Sequence, residues 1–185
     1  MAKQSRIHLV KRAEATEEQR QVGDFIYLKR DEEYAGPSAI MLNVPGLAEI
    51  FEHMREHMEQ AGLPDDLYQL ATLVLARHWS VDYIWNVRVR QSRAIGIDEA
   101  VIEAIKNRRR PVFSDPRHDA IYTYTAEMLG PTGVSDAAFE KAREVLGSEN
   151  QIIELTALIG LYTFLSFQCR AADLPVQAGG QELQK

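Results

Sequence analysis

Apolar positions recur along most of this chain at steps of three and four residues, the spacing that lines one face of an α-helix. Leu47, Ile50, Phe51, Met54 and Met58 form one such stripe and predict a helix that Gly62 stops. Pro64 stands where the next helix can begin without losing a hydrogen bond. Residues 67–79, LYQLATLVLARHW, are apolar on nearly every side, which predicts a helix covered by neighbours on several faces. Ser80 is the expected N-cap of a further helix over 81–94, which ends before Gly96.

The same signals fill the remaining chain. Thr16 with Gln19 forms a capping box for a short helix ending near Lys29, and residues 30–43, broken by Gly36 and Pro37, read as a connector. Asp98 caps a helix that ends before Pro111. Helices near 115–129 and 136–146 are stopped by Gly130-Pro131 and by Gly147. Ser148 with Gln151 opens a long apolar helix reaching Cys169. The expected fold is therefore all-α: an arm over 1–15, one helical domain over 16–170, and a loose tail over 171–185 containing Pro175 and Gly179-Gly180.

Composition narrows the function classes. The 185 residues are 45% hydrophobic and 26% charged, as in a folded single domain. The net charge of -6 works against attraction to a phosphate backbone, so no nucleic-acid partner is expected. The N-terminal 15 residues lack the apolar core of a signal peptide. The uncharged run 155–169 is shorter than the roughly 20 apolar residues that span a bilayer, so no membrane partner is expected either. Cys169 is the only cysteine and can form no intrachain disulfide, which by elimination makes the cytoplasm the expected setting.

The central segment 69–97 carries Ala76-Arg77-His78-Trp79, Tyr83-Ile84-Trp85 and Gly96-Ile97. Downstream stand Phe113-Ser114-Asp115-Pro116-Arg117 and a helix with Glu154, Leu158, Gly160 and Tyr162. In order and spacing these resemble the carboxymuconolactone decarboxylase family, which includes the AhpD-type alkylhydroperoxidases, over most of 45–168. The resemblance implies an AhpD-like helical bundle that assembles into homo-oligomers, trimers or hexamers, with its pocket among the central helices near subunit contacts. It implies lyase or peroxiredoxin-type activity for ordinary members.

The departures bear on chemistry. The family's hydroperoxidase pattern puts a Glu where this chain has Gln69, its two cysteines at Val81 and Ile84, and its His at Arg88. Thiol redox chemistry needs an attacking thiolate and a resolving sulfur, and neither side chain supplies one. The decarboxylase pattern's Glu and His fall on Ile84 and Arg88, and an arginine that keeps its proton is no general base.

Arg88 suits an anion instead, because its planar guanidinium can hold a carboxylate by two parallel hydrogen bonds. Gln69, Tyr83, Ile84 and Trp85 are the expected ligand-contacting neighbours, though Trp85 points away from the 84/88 face and equally reads as core. Arg88 itself equally reads as a structural ion pair or a solvated position beside Arg90 and Arg93. His78 and Glu154 are the other candidate catalytic groups. His78 titrates in a useful range, and Glu154 interrupts an apolar helix and so must reach the surface, pair with an arginine or face a pocket. Tyr162 belongs to a set of aromatics that fits a pocket wall or a packed core alike.

His53 and His57, four apart among Glu52, Glu56 and Glu59, read as a solvated mixed-charge face, and Arg108 to Arg110 as charges complementing a helix C-terminus. No metal and no cofactor is expected. The functional expectation is a small-molecule enzyme acting on an acidic or lactone-like metabolite by non-thiol chemistry. The alternative is a non-catalytic ligand-binding or oligomeric interaction protein, with alkylhydroperoxidase activity disfavoured.

Overall fold

The computed structural model describes residues 4–27, 33–177 and 179–183, and every regular element among them is helical. After a short turn at Arg12–Glu14, the helices are α1 Glu17–Tyr27, α2 Gly36–Met41, α3 Pro45–Gln60, α4 Asp65–His78, α5 Asp82–Ala94, α6 Glu99–Lys106, α7 Pro116–Met128, α8 Asp136–Leu146 and α9 Glu149–Ala172. Short polar side chains cap several of them: the carboxylates of Asp98 and Asp115 accept backbone N–H bonds at α6 and α7, and the hydroxyls of Ser135 and Ser148 do so at α8 and α9. Thr16 and Gln19 close their capping box in both directions, at 2.9 and 3.3 Å.

Helix α4 is the hub. Leu67 and every residue from Leu70 to Arg77 are buried, because α4 packs against α5, α6, α7 and α9. Helix α9 meets α2, α3, α4 and α8, which explains why so long a helix carries so little charge. Its length and a mean hydropathy of 1.5 would allow a bilayer crossing, yet half of that apolar window is already buried within the protein.

Several expectations change in three dimensions. The connector contains α2, since Gly36 at φ 62 turns the chain and Pro37 occupies the first helical turn, where its missing N–H costs nothing. Ser80 does not cap α5. Val81 holds that position, while the Ser80 hydroxyl accepts from Arg77 at 2.8 Å and Arg108 at 2.9 Å. The α3 stripe splits, with Phe51 and Met58 buried but Ile50 69% and Met54 39% exposed. Ser148 accepts from the Gln151 backbone, but the Gln151 side chain reaches Ala61 and leaves the second box half closed.

Both chain ends dock. The Arg6 N–H bonds to Ala172 and the Val10 N–H to Ala39, and Val10 is buried. The tail expected to be loose runs along α5: Asn86 exchanges two hydrogen bonds with the Gln181 backbone, and the Leu183 N–H reaches Asp82 at 2.8 Å. The segment 28–32, where α1 was expected to end and the connector to begin, lies outside the described residues, as do residues 1–3, 178 and 184–185.

If α4 is the hub, shortening Leu73, which has no exposed surface, should lower the unfolding free energy by about 2–5 kcal/mol. Urea denaturation of Leu73→Ala should show this as a lower midpoint at unchanged slope. A midpoint equal to the wild type would contradict the assignment.

Candidate functional site

The first turn of α4 sets Tyr68 and Gln69 beside each other on the face toward α5 and α9. Opposite them stand Arg88, near the middle of α5, and Tyr162, in the apolar run of α9. The Arg88 guanidinium donates one Nη–H to the Tyr162 hydroxyl and another to Gln69 Oε1 at 3.4 Å. Its centre lies 4.7 Å from the Tyr162 ring and 5.8 Å from the Tyr68 ring, within cation–π range of both. The two tyrosine hydroxyls are 3.1 Å apart. Because a guanidinium only donates, the Tyr162 oxygen must accept from Arg88, which leaves its proton for Tyr68 or for a molecule in the space beyond. Burial first, and then the neighbouring Tyr162, raise the Tyr68 pKa against the opposing pull of Arg88, so Tyr68 stays protonated.

Helix α3 supplies the second wall. Glu52 is only 3% exposed, and Arg55 reaches it through Nε at 2.9 Å while a second branch bonds Glu59. The hydrogen bonds that Arg55 donates to Glu52 raise the Arg55 pKa against the effect of burial, so the cation is held in its charged form. The charge of Arg55 is thus met by two carboxylates. Arg88 differs: its recorded partners are a phenol and an amide, and no carboxylate among the described residues pairs with it. Its Nε is buried without a partner, and so is Oε1 of Gln91 one turn further along α5. Each such orphaned atom costs about 1–3 kcal/mol, and more when it is charged.

These walls line a partly open cavity of about 550 Å³, a size suited to a small organic ligand. Its rim includes Tyr83, whose hydroxyl accepts from Gln177 of the tail at 2.8 Å. Gly36 stands at the same rim, and a Cβ there would overlap the Tyr83 hydroxyl, so the residue is glycine for space as well as for its φ of 62.

Of the residues singled out in the sequence, Arg88, Gln69, Tyr83 and Ile84 line this cavity together. Trp85, 2% exposed, packs in the core and does not line it, as its angular offset on α5 allows. Glu154 is elsewhere: both its oxygens lie 3.1 Å from His57 Nε2, pairing it with a histidine of α3. His78 and Val81 border a different concavity with Arg108, Arg170 and Cys169. There burial, and then the two guanidinium groups, lower the His78 pKa. The residues that sequence reasoning missed are Glu52, Arg55, Glu59 and Tyr68, with Gln91. The signal present in the sequence was their mutual spacing, since Glu52, Arg55 and Glu59 recur at three- and four-residue steps and so can pair with one another, but it gives no sign of burial.

Two other clusters have less to offer. Ligand atoms of Asp66, Asp115 and His118 lie within 4.8 Å of one another, but Arg117 already bonds both carboxylates, at 2.9 and 2.7 Å. Burial raises the Asp66 pKa, and the His118 hydrogen bond and Arg117 more than offset this to hold it low. Cys169 is 2% exposed, and burial pushes its thiol up to about 12, which disfavours the nucleophilic thiolate.

The fold is the AhpD-like helical fold. No protein-family model and no curated protein sequence matches the chain. Among solved structures it is similar to an Agrobacterium tumefaciens protein of unknown function whose suggested assignment is the antioxidant defence protein AhpD. That likeness has a TM-score of 0.67 and 19% identity, over 74% of this chain and 94% of that one. It is also similar to the debrominase Bmp8. A cysteine-to-alanine variant of Bmp8 in complex with 2,3,4-tribromopyrrole gives a TM-score of 0.75 at 15% identity, over 96% and 95% of the two chains. Bmp8 without ligand gives 0.74 at 15% identity, over 94% and 92%.

The thiol provides a check. Cys169 holds its proton more tightly folded than unfolded, so its contribution to stability is fully present below the ordinary value of 9.0 and is lost as pH rises toward about 12. Cys169→Ala should lack that alkaline slope. At pH 8 the native chain should resist a thiol reagent that modifies the unfolded chain stoichiometrically. Rapid modification of the native chain would contradict this picture.

Proposed function

We propose that this protein is a small-molecule enzyme of the AhpD-like fold that holds an acidic or lactone-like metabolite against Arg88 and acts on it without a thiol. The observation that carries the reading is Arg88 itself, a cation in the wall of a partly open cavity, whose partners are uncharged and whose Nε has none. A carboxylate, or the carbonyl of a lactone, complements that group. The Tyr162–Tyr68 pair, hydrogen-bonded to the same arginine, is the candidate proton carrier. A debrominase of similar fold, crystallised with a halogenated pyrrole, supports small cyclic molecules as the general size of ligand.

Alkylhydroperoxidase chemistry is not part of the proposal. Val81 and Ile84 carry no sulfur, and Cys169 is sealed away from the cavity. A second reading, ligand binding without turnover, draws on the same apolar pair at the family's cysteine positions. Self-association belongs to the proposal in either case, because Ile50, Met54 and Phe25 leave apolar surface exposed on α3 and α1. A cytoplasmic setting is its economical location.

The test is ligand-observed NMR with a panel of small carboxylic acids and their methyl esters. The acids should bind more tightly than their esters, whose neutral carbonyl accepts the same hydrogen bonds without the charge. Arg88→Ala should weaken acid binding about tenfold or more, as expected for losing a charged hydrogen bond of about 1.5–3 kcal/mol. Unchanged binding by that variant, with its helical content intact, would remove the proposal's foundation.

A further inference from the structure

Arg88 and Gln91 are three residues apart on α5, the spacing that sets two side chains on one face, and both line the cavity. Several polar groups around them are engaged: Glu52 and Glu59 with Arg55, and Gln69, Tyr68 and Tyr162 with Arg88 or one another. Among the described residues, five buried side-chain atoms lack a partner, and two of these belong to residues that line the cavity. The other three are the hydroxyls of Ser92, Thr125 and Ser166, which do not line it.

The two orphans on the wall are of opposite kind. Arg88 Nε is a donor bearing positive charge, and Gln91 Oε1 is an acceptor. A plain carboxylate would satisfy the first and set a second acceptor near the other. We infer that the cavity selects an acid carrying an N–H or O–H donor on the atom adjacent to the carbon that bears its carboxylate. The anion sits on Arg88, the donor meets Gln91, and the ring lies toward Tyr68 and Tyr162. Neighbours one turn apart on a helix have Cβ atoms about 5–6 Å apart, which favours ligand groups that are close together. This inference rests on the acidic-ligand reading above and deepens it by fixing a second recognition element.

Pyrrole-2-carboxylate and furan-2-carboxylate test it, because they share charge and shape and differ at the ring atom beside the acid: N–H in one, an acceptor oxygen in the other. Isothermal titration of the wild-type chain should find the pyrrole acid bound about tenfold more tightly. Gln91→Leu should bring the two affinities together while Arg88→Ala weakens both. Equal affinities in the wild type would overturn the donor requirement while leaving the acidic-ligand reading intact. Binding of both acids that is indifferent to Arg88→Ala would overturn that reading, and binding of neither acid would overturn the inference. If Gln91 serves only to satisfy Arg88 internally, Gln91→Leu will lower the melting temperature yet leave the wild-type preference unchanged, which also overturns it.

Discussion

Burial of α4 on nearly every side is the constraint from which the rest of the molecule follows. A helix with Leu67 and Leu70 to Arg77 all buried needs partners around its circumference, and α5, α6, α7 and α9 are those partners. Once they are in place, the first turn of α4 has one fixed relation to α5 and α9, and Tyr68 and Gln69 face Arg88 and Tyr162. The site is a by-product of the core in this sense: the packing that hides the leucines also sets the hydroxyls, the amide and the guanidinium at hydrogen-bonding distance.

Two of the three arginines that line the cavity, Arg55 and Arg88, are held in opposite ways. Arg55 is answered by Glu52 and Glu59 on its own helix, a closed arrangement that ties α3 together and asks nothing of a ligand. Arg88 is cradled by aromatic rings and neutral oxygens, which orient a guanidinium without cancelling its charge. In the proposed function, a cation kept in this way beside the cavity is the contact for an anion. The phenols of Tyr68 and Tyr162 stand beside Arg88, while Val81 and Ile84 carry no sulfur.

Much of the helical order was legible in the sequence because caps and apolar spacing are local. Asp98, Ser135, Ser148 and the Thr16–Gln19 box each act within a few residues of themselves. Arg88, Gln69, Tyr83 and Ile84 could be singled out because the resemblance aligned them, and the structure brings them to one cavity. What escaped depends on distant partners. Glu52 looks solvated in sequence, since nothing local says that Arg55 will fold over it under cover of α9. The tail looks loose because its hydrogen-bonding partners, Asp82 and Asn86, lie about a hundred residues earlier. Glu154 stands out in an apolar helix, but its answer is His57 on another helix, a pairing that no spacing rule supplies.

The central claim is that the charge of Arg88 waits for a ligand anion. The most direct measurement is the NMR nitrogen–proton correlation of the Arg88 Nε–H, assigned by its disappearance in Arg88→Lys and followed as a small carboxylate is added. The account predicts a saturable downfield shift of that signal and slower exchange of its proton with water. A signal that stays in place while the carboxylate binds elsewhere, or one already shifted and protected without any ligand, would contradict it.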